Sequence, residues 1–301
     1  MSKTSIISIY DKSPKIAILE STFAARNKSQ ATGLVGSALS FVMHSLFKKA
    51  ELPLLILFRN KEEAAYYLND LEQLLNTEDV LFYPSSYRRP YQIEETDNAN
   101  ILLRAEVLNR INSRKKPAII VSYAEAIFEK VVTRKELEKN TLKLAVSDNL
   151  SIDFINETLF EYNFKRVDFV TEPGEFSVRG GIIDVFSFSN DNPYRIEFFG
   201  NEVDSIRSFD VETQLSIEKL KKISIIPNVE NKLLQESRES FLDYISEKTV
   251  IVIQNTESLG EQLDKLFSKA KEAFGALSSD IKHAPPEELF LDQKQFLRRA
   301  L

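Results

Sequence analysis

Residues 172–210 limit the fold of this chain more than any other stretch. They read E-P-G-E-F-S-V-R-G-G-I-I-D-V-F, then a polar turn, then Y-R-I-E-F-F-G-N-E-V-D-S-I-R-S-F-D. Phe176 and Val178 alternate with Ser177 and Arg179, the period of two expected of a strand with one buried face. Gly180-Gly181 interrupts the run, which predicts a bulge or bend before the strand resumes over 182–186. Ser189, Asn190, Asp191, Asn192 and Pro193 supply turn chemistry. Tyr194, Ile196 and Phe198 then share one face, and Arg195, Glu197 and Phe199 the other. Gly200-Asn201 fits a two-residue hairpin loop into a strand over 202–207. The expectation is a small antiparallel meander with arginine and phenylalanine together on its less apolar face.

The first half of the chain alternates helical and strand-like patterns. A helix over 36–50 carries Leu39, Val42, Met43, Leu46 and Phe47 on one stripe, and Leu54–Phe58 is a continuous apolar run. A helix over 61–75, strands at Val80–Tyr83 and 118–121, and helices over 100–111 and 124–128 follow. This alternation predicts an α/β layer built on a parallel sheet. From about Thr141 the pattern changes. A strand over 142–146 precedes Ser151, which is placed to cap a helix running to Tyr162. The meander then closes at 223–226. A helix over 231–246, a buried strand over 249–253 and a helix over 257–271 come next, and the segment around His283 to Pro286 reads as irregular. The expected domains are 1–140, 141–228 and 229–301, an α/β domain with an α+β meander domain inserted into it.

Composition narrows the chemistry. The 301 residues are 43% hydrophobic and 28% charged, the balance of a folded globular chain. Without cysteine there are no disulfides, thiolate nucleophiles or cysteine zinc sites. His44 and His283 stand apart, outside any metal-ligand spacing. The apolar runs are too short to span a bilayer and the start lacks a sustained apolar signal core, so no membrane association and a cytoplasmic location are expected. A net charge of −6 argues against nucleic-acid binding as the main task. The clusters Arg88-Arg89, 114–116, 219–222 and Arg298-Arg299 read as solvated charges, or as a local DNA contact. Glu94, Glu95 and Asp97 have no histidine or metal spacing to work with, so no acid/base site is expected there.

Thr32-Gly33-Leu34-Val35-Gly36-Ser37-Ala38-Leu39-Ser40 opens the first long helix. A P-loop needs G-x-x-x-x-G-K-[ST], in which backbone N–H groups cradle phosphates and the lysine meets their charge. Here Ala38 replaces the second glycine and Leu39 the lysine, so the loop is degenerate and its electrostatic term is gone. Alternatively, Gly33 and Gly36 simply serve a tight turn and close helix packing. Gln254-Asn255-Thr256-Glu257 follows the strand over 249–253, where a magnesium site would show an Asp-Glu pair. No cofactor, metal or catalytic residue is expected.

The motifs R-G-G-I-I-D-V-F and Y-R-I-E-F-F-G-N-E, closed by S-F-D, resemble the domain 2 signature shared by UvrB and the amino-terminal part of the bacterial transcription-repair coupling factors, with closer likeness to the latter. The resemblance is diffuse over 1–130 and 230–301. It implies UvrB-like domains 1A, 2 and 1B with domain 2 inserted, a degenerate P-loop, and binding of UvrA, the damage-sensing ATPase, through Arg179, Arg195 and Phe199. UvrB's DNA-clamping hairpin would fall between Tyr83 and Asn100. Only 16 residues lie there, Pro84 and Pro90 among them, so no long hairpin is expected. The motor motifs and the RNA-polymerase-binding module of the coupling factors are absent, which implies an amino-terminal fragment of an ATP-dependent DNA translocase. Residue chemistry alone leaves two roles open. Arg195 pairs with Glu197 or a cross-strand acid while Phe199 seals the sheet edge, or the arginines and Phe199 meet a partner. Glu172, Glu175 and Glu197 are available to orient the arginines. A UvrA-recruiting module that links stalled RNA polymerase to nucleotide excision repair leads. A cryptic ATP-dependent enzyme and a DNA-binding module using Arg88, Arg89 and 114–116 are the rivals.

Overall fold

The structure is a computed structural model that describes residues 3–25, 28–86, 91, 98–113, 116–188, 190, 192–228, 238–277 and 284–300. Arg88, Arg89, Glu94, Glu95, Asp97, Arg114, Lys115, Ser189, Asp191, His283 and most of the 84–99 segment lie outside these. The chain forms two compact units that interleave in sequence. One comprises Met1–Ser85, Ser113–Lys130 and Ser240–Leu301, the other Ser86–Asn112 and Val131–Glu239.

In the first unit, α1 (Lys3–Asp11), α2 (Pro14–Ala24) and α3 (Ala38–Ala50) precede β1 (Leu54–Phe58), α4 (Lys61–Leu74) and β2 (Val80–Tyr83). After the excursion into the second unit come β3 (Ile119–Tyr123) and α6 (Ala124–Phe128). The unit ends with α9 (Phe241–Tyr244), β14 (Val250–Ile253), α10 (Thr256–Gly275), α11 (Pro286–Leu289) and α12 (Gln293–Ala300). The four strands are all parallel, in the order β14-β1-β3-β2. β1 and β3 are buried along their whole length, as their unbroken apolar sequence requires of inner parallel strands. β14, read as a buried strand, is half-exposed at one edge of the sheet, whereas β2 at the other edge is largely buried. Asn60 caps α4 by accepting the Glu63 N–H at 2.9 Å, and Asn255 caps α10 through the Ser258 N–H at 2.8 Å.

Several elements depart from the expectations. Helices α1 and α2 were not foreseen. Tyr10 stacks on Phe41 at 5.2 Å, and the Ser45 hydroxyl donates to Asp11 at 2.6 Å. The segment after Pro285 is ordered rather than irregular. Pro286 starts α11, Phe290 stacks on Phe128 at 4.5 Å, and Phe290, Leu291 and Phe296 are fully buried. The long helix expected over 231–246 is not formed. Residues 231–237 lie outside the described set, Arg238–Glu239 pair as a strand, and only the four-residue α9 follows, capped by Ser240. Among the described residues no helix is long and apolar enough to cross a membrane.

The second unit contains α5 (Asn98–Ser113), β4 (Val131–Val132), α7 (Arg134–Lys139), β5 (Leu142–Ala145) and α8 (Ile152–Glu161). The meander follows: β6 (Lys165–Arg166), β7 (Glu175–Arg179), β8 (Ile182–Val185), β9 (Tyr194–Phe199), β10 (Glu202–Phe209) and β11 (Ser216–Leu220). Then come β12 (Lys222–Ile225) and β13 (Arg238–Glu239), the latter paired with β4. The meander order is β11-β10-β9-β8-β7-β6, antiparallel except where β6 runs parallel to β7. Ser151 caps α8 as expected, accepting the Phe154 N–H at 3.1 Å. Gly200-Asn201 is the hairpin turn expected. Gly180-Gly181, expected as a bulge or bend within a resumed strand, is a hairpin turn between two antiparallel strands: Arg179 faces Ile182 across it, and Gly180 takes φ +60°. Bulges occur instead in β10, at 203–205 and 208–209. The meander ends at β11. The apolar run at 223–226 does not close it, because β12 pairs with β5 in a separate two-stranded sheet.

Candidate protein-interaction face

Strand register decides which side chains meet on the polar face of the meander. Ser177 lies opposite Asp184, Asp184 opposite Arg195, and Arg195 opposite Arg207, which forms one row across β7 to β10. The next row runs Arg179, Ile182, Glu197, Ser205. Phe199 lies two residues beyond Glu197 on the same face, beside the Gly180-Gly181 turn, where the Phe198 N–H donates to the Gly181 carbonyl at 2.8 Å. A side chain at Gly180 would meet nothing within 4 Å, so this corner of the face is open.

Asp184 organises the first row. It is 1% exposed, a carboxylate inside the apolar run Ile182–Val185. A carboxylate at that depth needs cationic partners. Arg195 supplies a two-pronged one: Nε donates to Oδ1 at 2.7 Å and Nη2 to Oδ2 at 2.8 Å. Arg179 Nη2 donates to the same Oδ2. Two guanidiniums thus share one carboxylate, and one positive charge is left over. It faces outward on Arg179, whose side chain is 41% exposed against 15% for Arg195. Arg195 is further held by the Gln214 side chain at 3.2 Å and by the Phe209 ring, 4.4 Å beneath it. The Asp184 hydrogen bonds raise the Arg195 pKa above its ordinary value despite partial burial.

The other carboxylates are engaged elsewhere. Glu197 accepts the Ser205 hydroxyl at 2.6 Å and the Arg207 guanidinium at 2.5 Å, and these hold it below the usual carboxylate range. Burial pushes Glu175 up, but the N–H groups of Thr171 and Glu172 and the Thr171 hydroxyl outweigh it, and its pKa is lowered. The acid that orients both arginines is therefore Asp184, not Glu172, Glu175 or Glu197. Of the pairings open from sequence, Arg195 takes the cross-strand acid. Phe199 does not seal a sheet edge: β9 is an inner strand, and the ring is 82% exposed at its end. An aspartate interrupting an otherwise apolar strand was the signal that could have found Asp184.

The degenerate loop of the first unit has a different fate. Leu39, at the lysine position, is 8% exposed and belongs to the buried stripe of α3. Ser40, at the magnesium-binding position, donates to Asp70 at 3.1 Å. Tyr67 donates to the Gly36 carbonyl at 3.4 Å and stacks on Phe58 at the end of β1, 4.7 Å away. The segment before the loop is α2, where a P-loop would follow a strand. Asn255, at the end of β14, caps a helix. Of the basic clusters, Arg299 pairs with Asp243 at 2.7 Å, and Lys219, Lys221 and Lys222 are exposed. Among the described residues no three His, Asp or Glu side chains converge as a metal would require.

Comparison with known proteins places the meander in a family. A profile described as the UvrB interaction domain matches residues 142–230. The transcription-repair-coupling factor of Bacillus subtilis (strain 168) is 33% identical over 213 residues, 71% of this chain and 18% of that protein. That of Myxococcus xanthus is 29% identical over 252 residues, 80% of this chain and 21% of that protein. The UvrABC system protein B of Clostridium botulinum (strain 657 / Type Ba4) is 29% identical over 253 residues, 79% of this chain and 36% of that protein. The chain spans about a fifth of the length of these coupling factors and about a third of that UvrABC protein. It is thus a UvrB-like region of the transcription-repair coupling factor type, with residues 142–230 as its UvrB interaction domain.

Proposed function

We propose that this chain is a non-enzymatic interaction module that recruits UvrA through the meander face. Within a longer coupling factor it would link stalled RNA polymerase to nucleotide excision repair. The observation that carries this reading is the guanidinium charge left over on Arg179, on the same face of the meander as the exposed ring of Phe199. Arginine next to a rigid aromatic is the composition of interface hot spots, and a partner carboxylate with an apolar cleft would complement it. Arg179 and Phe199 make the direct contacts. Arg195 holds Asp184 and so aims Arg179. The inward packing of Leu39 and Ser40 weighs against a cryptic ATP-dependent enzyme, since a leucine stands in the core where a lysine would meet the phosphates.

The choice of variant follows from the same geometry. Arg195→Glu would set a second carboxylate against buried Asp184, so lost binding would report lost folding as much as a lost contact. Phe199→Ser and Arg179→Gln leave the Arg195–Asp184 fork in place. Calorimetric titration of UvrA into wild type and both variants should show binding by the wild type and a loss in each variant. Undiminished affinity in Phe199→Ser would move the interface elsewhere, and no binding by the wild type would remove the recruitment reading.

A further inference from the structure

The turn that joins β10 to β11 reaches back to the row that carries Arg195. It is closed by the Asp210 N–H on the Leu215 carbonyl at 2.9 Å and by the Gln214 N–H on the Asp210 carbonyl at 2.8 Å. The Asp210 carboxylate accepts the Thr213 N–H at 2.8 Å and the Thr213 hydroxyl at 2.7 Å, which holds it below the ordinary carboxylate range. Gln214 leaves this turn at φ +58°, a left-handed backbone that suits glycine or asparagine and strains a longer side chain. What the strained position gains is reach. Gln214 Oε1 accepts Arg195 Nη2 at 3.2 Å, and Gln214 Nε2 donates to the Val211 carbonyl at 2.8 Å. The amide is used at both ends, and turning it over would set its donors against the guanidinium.

We propose that Gln214 is a positioning residue of the interaction face, one that sets the rotation of the Arg195 guanidinium and, through the Asp184 carboxylate, the aim of Arg179. A guanidinium carries its N–H donors in a rigid planar fork. In Arg195, Nε is committed to Asp184 Oδ1, while Nη2 donates both to Asp184 Oδ2 and to Gln214. The buried Phe209 ring lies under the same plane, its centre 4.4 Å from the guanidinium carbon. Asp184 alone is a loose hinge for this fork, because its Oδ2 is shared with Arg179. Gln214 adds a further point of attachment from another part of the chain, so the guanidinium is fixed in its plane. The N–H groups of Nη1 have no acceptor among the described residues, and theirs is the edge that Gln214 aims. Strain kept at a surface turn marks a demand on the side chain that the turn carries. The inference rests on the recruitment reading only for the identity of the partner, UvrA.

The test uses the whole chain, labelled with nitrogen-15, with Gln214→Gly and Gln214→Asn. Both variants suit a left-handed backbone and neither reaches Arg195, since glycine has no side chain and asparagine is a methylene short. Relief of strain offsets the lost bond, so their unfolding midpoints should stay close to that of the wild type. Rotation about the Arg195 Nε–Cζ bond exchanges its Nη1 and Nη2 signals, a readout that a role confined to the turn would not move. That exchange should quicken roughly tenfold in both variants, the factor carried by one hydrogen bond to a charged group. UvrA affinity should fall about fivefold in both. Arg195→Lys keeps a cation beside Asp184 but has no fork to orient, so adding Gln214→Gly to it should lower affinity no further. Three results would overturn the proposal: an unchanged exchange rate, unchanged affinity in both variants, or the same fivefold loss in the Arg195→Lys background. A wild type that does not bind UvrA would remove the recruitment reading, and the exchange rate would still decide whether Gln214 holds Arg195.

Discussion

The glycine loop of the first unit and the glycine turns of the meander look alike in sequence, and the side chains that would hold a ligand have opposite fates. Around Gly33 and Gly36 the side chains that would serve a ligand turn inward: Leu39 joins the core, Ser40 bonds Asp70, and Tyr67 ties down the Gly36 carbonyl. Around Gly180-Gly181 and Gly200 they turn outward, with Phe199 and Arg179 in solvent. Glycine frees the backbone in both places, as the positive φ values show. What marks a site is whether the side chains able to hold a ligand face outward, since Val35 beside Gly36 is as exposed as Phe199.

Two substitutions press hardest on that contrast. Leu39→Lys restores the residue a P-loop needs, yet the position is buried, so an unpaired ammonium there should cost the first unit roughly 3 kcal/mol. Fluorescent-nucleotide titration should show no magnesium-dependent binding. Saturable binding would mean that the loop keeps its cradle and would break the comparison. On the other side, Arg195→Ala leaves Asp184 with Arg179 alone and should destabilise the second unit by about 3 kcal/mol, the scale of a broken buried pair. Chemical denaturation reads it, and a change under about 1 kcal/mol would show that Arg179 and water suffice for Asp184.

Phe199→Ser sharpens the outward half. Because the ring lies almost wholly in solvent, stability should stay within about 0.5 kcal/mol. UvrA affinity should fall about 30-fold, near 2 kcal/mol, the size of a hot-spot aromatic. Gly180→Ala comes next. Nothing lies within 4 Å of the added carbon, so the variant isolates the cost of holding alanine at φ +60°, about 1 kcal/mol in an unfolding curve. A cost near zero would mean that the turn relaxes and does not fix the spacing of Arg179 and Phe199.

Elements defined by local pattern were legible in the sequence. The bounds of β1, β2 and α6 are those read from the sequence, each from a short local run that needs no information about distant neighbours. The face that carries Arg179, Arg195 and Phe199 was legible too, from the period of two. Their partner was not. Asp184 meets Arg195 only through the β8–β9 register, and Arg179 only through the β7–β8 turn, which was read as a bulge or bend within one strand. β12 was joined to the wrong sheet for the same reason: Ile223 and Ile225 suit any sheet with an apolar face. β11 escaped notice because Ile217 and Glu218 are both exposed there, so the strand has little alternation to show.

The gentlest test is acid. Glu175 pins the turn that presents Phe169, and Glu197 braces Ser205 and Arg207 beside Phe199. Both pKa values lie below the ordinary 4.5 in the folded chain. A group depressed on folding binds its proton more weakly in the native state, so its stabilising contribution is complete above the unfolded value. It is lost as pH falls through the lower folded value. Stability of the second unit should therefore be flat from neutral pH down to about 4.5 and decline below it. The decline should be small, because both carboxylates are well screened by solvent. Glu175→Gln separates the two groups. It should remove part of the acid dependence, and at neutral pH it should loosen the 168–172 turn, seen as averaging of the Phe169 ring signals while those of Phe199 stay put. If the Phe169 signals are unchanged, the turn is held by Ser177 and Arg179 alone, which donate to the Asp168 carbonyl, and its rigidity comes from the sheet rather than from the carboxylate.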